Sequence, residues 1–164
     1  MIRAIFFLVL VALVAMVPAV SAVLVGAVPG PEDEVRSVVQ RSFQQLKDGQ
    51  YSELYDGLPA AARKRIARAS FVQNLQRSRN LYRLDRIEIG TVKVNGNNAT
   101  AETVMYGRVL KPNENEGKIV VRQSLVREGG AWHLAVNNTS PRIYIKRDGR
   151  WVEVTKLLKA ASKR

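Results

Sequence analysis

The 164-residue chain has no cysteine and one histidine, His133. The first lack excludes disulfides, thiolate metal sites, a cysteine nucleophile and a lipid-modified N-terminal cysteine, and it is neutral about compartment. The second leaves a metal site short of ligands, because no acids cluster at ligand spacing to make up for it. No phosphate loop, nucleophile elbow or dinucleotide fingerprint is present, so neither a metal nor a cofactor is expected. Acids are also scarce, at 14 against 26 Lys and Arg, which leaves a net charge of +12.

What is present begins with a long apolar run. "MIRAIFFLVLVALVAMVPAVSAVLVGAVPGPEDE" carries Arg3 and then a block from Ala4 to Val17 with no polar side chain, the length of a signal-peptide core. Val20-Ser21-Ala22 resembles a cleavage site, with cleavage after Ala22. Read on to Val28, the run also reaches the ~20 residues that cross a bilayer. Residues 1–28 are therefore expected to be a signal peptide or a transmembrane anchor within residues 4–28. The domain is then placed outside the cytoplasm, either tethered or periplasmic and secreted.

Pro29-Gly30-Pro31 reads as a linker, 32–140 as the domain and 141–164 as a basic hairpin-helix extension. Glu32, Asp33 and Glu34 favour a helix start, and Val35, Val38, Val39, Phe43 and Leu46 share one helical face. Gly49 supplies the C-terminal cap, so helix one spans about Glu32 to Asp48. Tyr51, Leu54, Tyr55 and Leu58 make a short second helix, and Pro59 opens a third. Ser70 with Gln73 forms a capping box for a fourth that ends near Arg79.

From Arg83 the period changes to two. Ile87 and Ile89 lie on one phase and Val92 and Val94 on the other, so Gly90-Thr91 reads as a β-bulge. Asn95-Gly96 marks a hairpin, Asn98–Leu110 and Lys118–Glu128 are strands around a 111–117 loop, and Gly129-Gly130 turns into a strand from Ala131 to Val136. Asp148-Gly149 is the turn of the C-terminal hairpin, and Thr155 caps a basic amphipathic helix.

Helices followed by a long, bulged meander resemble the cone-shaped α+β fold of the nuclear-transport-factor-2-like superfamily. The step Leu46, Asp48, Gly49, then Tyr51, "ELYDGLPAAARKR" and Ser70-Phe71 is similar to exported, single-anchor members described as lumazine-binding-like or uncharacterised. The resemblance covers about residues 32–137. It implies N-terminal helices packed on a curved four-stranded antiparallel meander, with Tyr51 and Tyr55 near the mouth of the cone or filling its core.

Catalysis in such a fold needs a titratable pair in the cone. The best pocket available joins Tyr51, Tyr55, Tyr106, Arg108 and His133, provided that the phase of Tyr106 and Arg108 faces inward; it suits an anionic or amphipathic small ligand. Positive charge is concentrated in two blocks. Residues 59–86 carry eight bases, including Arg63, Lys64, Arg65 and Arg68, against Asp85, and residues 141–164 carry eight, including Lys146, Arg147, Arg150, Lys156 and Lys159, against Asp148 and Glu153. These blocks are candidates for contact with an anionic lipid, an envelope polymer or an acidic protein, and the alternative is a solvated helix face and a solubilising tail. Nucleic acid is disfavoured, since an exported domain does not meet it and block 59–86 offers only Phe71 and Tyr82 for stacking.

The leading expectation is a non-catalytic, exported binding module of the cell envelope, either tethered to the membrane or released from it. A subunit of an envelope assembly or secretion complex is the alternative. An isomerase- or cyclase-type enzyme is a third, and it requires a carboxylate beside one of the tyrosines inside the cone. A homodimer through the outer sheet face is compatible with each.

Overall fold

A computed structural model describes residues 29–110, 114–136 and 141–155. The expected signal or anchor segment, and Lys156 and Lys159 of the basic tail, lie outside the described residues. Among the described residues, no helix is long and apolar enough to cross a membrane.

Helix α1 runs from Pro31 to Asp48. Pro31, expected in the linker, is instead its first residue, where a missing N–H costs nothing. Asp33 reaches back to accept from the Gly30 N–H at 3.2 Å. At the other end Gly49 takes φ 79°, the left-handed turn expected of it, and the Arg79 guanidinium lies where a Cβ would project. Val35, Val39 and Phe43 form the buried stripe, each burial worth roughly 1.5–3 kcal/mol.

Helices α2 (Tyr51–Asp56), α3 (Ala60–Arg65) and α4 (Arg68–Arg79) follow. The capping box expected at Ser70 is not formed. Helix α4 starts three residues earlier, with Ala67 as its N-cap, and Ser70 lies inside the first turn. Contacts with α2 set that start. The Tyr55 hydroxyl lies 3.1 Å from the Arg63 carbonyl and 2.9 Å from the Ile66 carbonyl, and Arg68 donates to the Ser52 carbonyl at 3.2 Å and pairs with Asp56.

Six strands follow: β1 (Tyr82–Asn95), β2 (Asn98–Val109), β3 (Asn115–Glu128), β4 (Ala131–Leu134), β5 (Arg142–Arg147) and β6 (Arg150–Glu153). They form one antiparallel sheet ordered β1-β2-β3-β5-β6, with β4 also on β3. This corrects the four-stranded expectation, because the C-terminal hairpin is part of the sheet. Strand β2 pairs along the whole of one edge of β3. On the other edge β4 pairs only Leu125–Glu128, and β5 pairs Gly117–Val120. A 14-residue strand with a four-residue neighbour leaves open backbone groups, and β5 satisfies them.

Between Ile89 and Val92 the β1–β2 register skips, as the phase slip at Gly90-Thr91 predicts. The extra residue brings Ile87, Ile89, Val92 and Val94 onto one face, all four against the core. A second irregularity, at Leu84/Arg86, brings the Arg83 carbonyl so close to Gly107 that a Cβ there would lie 2.0 Å from its oxygen.

The core lies between α1 and the sheet: Val35 and Val39 meet Val92, Ala99, Ala101, Leu125 and Trp132. The alanines let the helix approach closely. Thr103, 1% exposed, continues this phase and satisfies its hydroxyl on the Val121 carbonyl at 3.0 Å. The result is helices packed on one face of an antiparallel sheet, the α+β architecture that the resemblance implies.

Candidate functional site

The five residues of the expected pocket do not converge. Odd-numbered Ala99, Ala101 and Thr103 carry the core, so Tyr106 and Arg108 project from the opposite, outer face of β2. The inward phase expected for them is therefore corrected. Tyr51 is 5% exposed and packs at the start of α2. The Tyr55 hydroxyl is committed to the α3–α4 connection, with its ring 5.7 Å from that of Phe71 and under the Arg68 guanidinium at 5.5 Å.

His133 Nδ1 lies 3.0 Å from the Gly57 carbonyl. A carbonyl only accepts, so the proton is on Nδ1, and the ring ties β4 to the end of α2. Glu128 works beside it, accepting from the Ala60 N–H at 3.0 Å. These contacts hold the α2–α3 corner against the far end of β3.

A carboxylate beside a tyrosine does exist, but outside the cone. Tyr106 donates to Glu88 at 2.9 Å, and Arg86 pairs with the same carboxylate while lying 3.7 Å above the tyrosine ring. The hydrogen bond from Arg86, followed by that from Tyr106, holds the Glu88 carboxyl below its ordinary range, and the bond to Glu88 raises the Tyr106 phenol. All three are solvated. The anion is stabilised by its neighbours, which makes Glu88 a weaker base, so the triad lacks the apolar enclosure that general acid–base work uses. Arg108 is similarly engaged, donating to Glu114 at 2.8 Å; this raises the guanidinium and lowers the Glu114 carboxyl.

Sequence reasoning missed a cluster beside this triad. Lys118 Nζ lies 4.7 Å from the Trp151 ring centroid and 5.3 Å from that of Tyr144, and Trp151 meets Tyr106 edge-on at 6.5 Å. Four strands contribute: Tyr106 pairs with Lys118, Lys118 with Tyr144, and Lys146 with Trp151. The alternation of each strand was visible, but the β3–β5 pairing that assembles them was not.

Of the basic residues, Arg63, Lys64 and Arg65 line the exposed side of α3, and Arg68 is paired with Asp56. Lys146 pairs with Glu116 at 3.0 Å, and Arg147 and Arg150 are exposed across the hairpin turn. The α3 cluster and the hairpin tip are apart. α3 is held at Glu128 and the hairpin tip lies past Gly117, so the Gly117–Glu128 stretch of β3, roughly 35 Å, separates them. Surface hollows lie beside the bulge, at Thr91, Lys93, Thr100, Glu102 and Arg122, and along α1, at Arg36, Gln40 and Gln44. Among the described residues, no three His, Asp or Glu gather to hold a metal.

No protein-family model matches the chain, and no curated protein does. Solved structures give distant likenesses. One is an NTF2-like protein from Campylobacter jejuni, provisionally assigned as a transpeptidase: 12% identity, TM-score 0.46, covering 63% of this chain and 98% of that one. Another is Aln2 from a Streptomyces species: 14% identity, TM-score 0.47, covering 82% of this chain and 98% of that one. At this level of identity and superposition, neither protein's activity transfers to this chain.

Proposed function

We propose that the chain is a non-catalytic interaction module, exported and held at the membrane by its N-terminal run, which engages an anionic partner through its outer surfaces. One observation carries the reading. Every candidate catalytic group near the helices is committed to the scaffold, with Tyr51 in the core, Tyr55 on the Arg63 and Ile66 carbonyls and His133 on that of Gly57. The cationic and aromatic groups, by contrast, are outside, where a partner reaches them. The apolar run of residues 4–28 supports the placement at a membrane.

Fractionation and protease accessibility of the full chain test the placement, and native mass spectrometry of the mildly extracted chain tests the mode. Membrane association with the domain accessible from outside, and a mass free of small ligands, are expected. A soluble cytoplasmic chain would overturn the first part. A retained small molecule that is lost on substitution of Tyr51 would overturn the second, because it would mean the cone holds a ligand.

A further inference from the structure

The β5–β6 hairpin carries a like-charged pair without the relief found elsewhere in the sheet, where Arg83 opposite Arg108 shares Glu114. Arg147 and Arg150 stand directly opposite each other at its tip, and like charges so placed destabilise a hairpin. Among the described residues neither meets a carboxylate that would relieve this. The turn between them is tight, with both Asp148 and Gly149 left-handed. Immediately after it, edge strand β6 exposes Trp151 at 37% and Val152 at 40%, two of the four large hydrophobics exposed among the described residues. They point to opposite faces of the strand, and Trp151 keeps this exposure although Lys118 and Tyr106 lie against its ring. Exposed apolar residues on an edge strand are a liability unless something covers them.

We propose that this hairpin docks on an anionic phospholipid surface, with Arg147 and Arg150 among the headgroup phosphates and Trp151 and Val152 at the boundary with the acyl chains. The charge selects the partner. Two unrelieved guanidiniums take phosphates in bidentate fashion, and an indole beside them suits the half-wet interface, where a fully aqueous or fully apolar partner would waste one of the two. Lys118, lying on the Trp151 ring, adds a cation on the Trp151 face of the hairpin, while Arg147 and Arg150 stand on the Val152 face, so the tip carries charge on both faces. The proposal rests on the reading of a membrane-held interaction module and gives that module its contact. The N-terminal run would supply proximity, and the hairpin would set the domain's orientation on the bilayer.

The test uses the full chain in nanodiscs of phosphatidylcholine, with or without phosphatidylglycerol, brominated on the acyl chains. Of the two tryptophans, Trp132 is buried at 5% exposure, so quenching reports Trp151. Blue-shifted, quenched Trp151 emission is expected in the anionic discs only, and loss of that quenching in high salt. Arg147→Gln with Arg150→Gln should abolish the quenching while the chain stays in the disc, and Trp151→Phe should remove the quenched component. Absence of quenching in a chain that enters the discs overturns the proposal and leaves the anchoring reading intact; a chain that does not enter the discs overturns that reading instead. Quenching that survives the double substitution overturns the proposal by placing the contact elsewhere. A lipid-free Trp151 shift that grows with protein concentration, or one produced by polyglutamate and not by the anionic disc, also overturns it, assigning the hairpin to a second copy or to an acidic protein.

Discussion

Arg36, in the second turn of α1, donates to the carbonyls of Ile89 at 3.0 Å and Gly90 at 2.9 Å, at the point where the β1–β2 ladder slips. A bulge leaves backbone groups without ladder partners, and here a guanidinium from 53 and 54 residues away takes two of them. Its forked donors reach both oxygens, so the bulge that turns the sheet also registers α1 on it. Arg36→Met should lower the stability of the full chain by about 1–2 kcal/mol, since two charge-assisted bonds are lost, one of them part-buried. Arg36→Lys should recover only part of this. An unchanged denaturation midpoint for Arg36→Met would show that the clamp is idle.

How much of this was legible in the sequence depends on range. Helix α1, its glycine cap, the bulge and the hairpin turns are written in neighbouring residues, and each was read correctly to within a residue or two. The face toward which Tyr106 looks was not legible. A period of two shows which residues share a side, not which side meets the helices, and small Ala99 and Ala101 carry little apolar signal although α1 selects them by its close approach. The start of α4 and the seating of β5 on β3 are likewise set by distant partners, Tyr55 in the first case and the open edge of β3 in the second. The candidate pocket failed for the same reason, because its members were grouped without knowledge of the sheet face on which each stands.

Tyr55 makes a second prediction. Its hydroxyl is the link between α2 and the α3–α4 connection, and the exposed run Arg63-Lys64-Arg65 lies within the segment it secures. Tyr55→Phe keeps the ring on Phe71 and leaves the Ile66 carbonyl without its phenol donor, at a cost of about 1 kcal/mol. Local opening of α3 should rise, and trypsin should cut at 63–65 faster than in the parent chain, while the rest of the domain stays resistant. Equal cleavage rates would show that α3 is held by other contacts.

Tyr82 gives the pH dependence. Its ring lies against Gly117, 3.1 Å from where a Cβ there would stand, and burial pushes its phenol well above the ordinary value of about 10, with the Asp85 charge adding to the rise. The neutral phenol is thus the form the fold accepts. Below the unfolded value both states hold the proton and the group's contribution is fully present. As pH rises past about 10 the unfolded chain gives up a proton that the folded chain keeps, so stability falls with rising pH. Near-ultraviolet titration should therefore show a tyrosinate absorbance step from Tyr82 delayed until the chain unfolds in alkali. Tyr106 is also raised, but by its exposed hydrogen bond to Glu88, so its ionisation should not wait for unfolding. Tyr82→Phe should delete the delayed step and flatten the alkaline loss of stability. A full complement of tyrosinate in a chain that is still folded would refute the buried, neutral phenol.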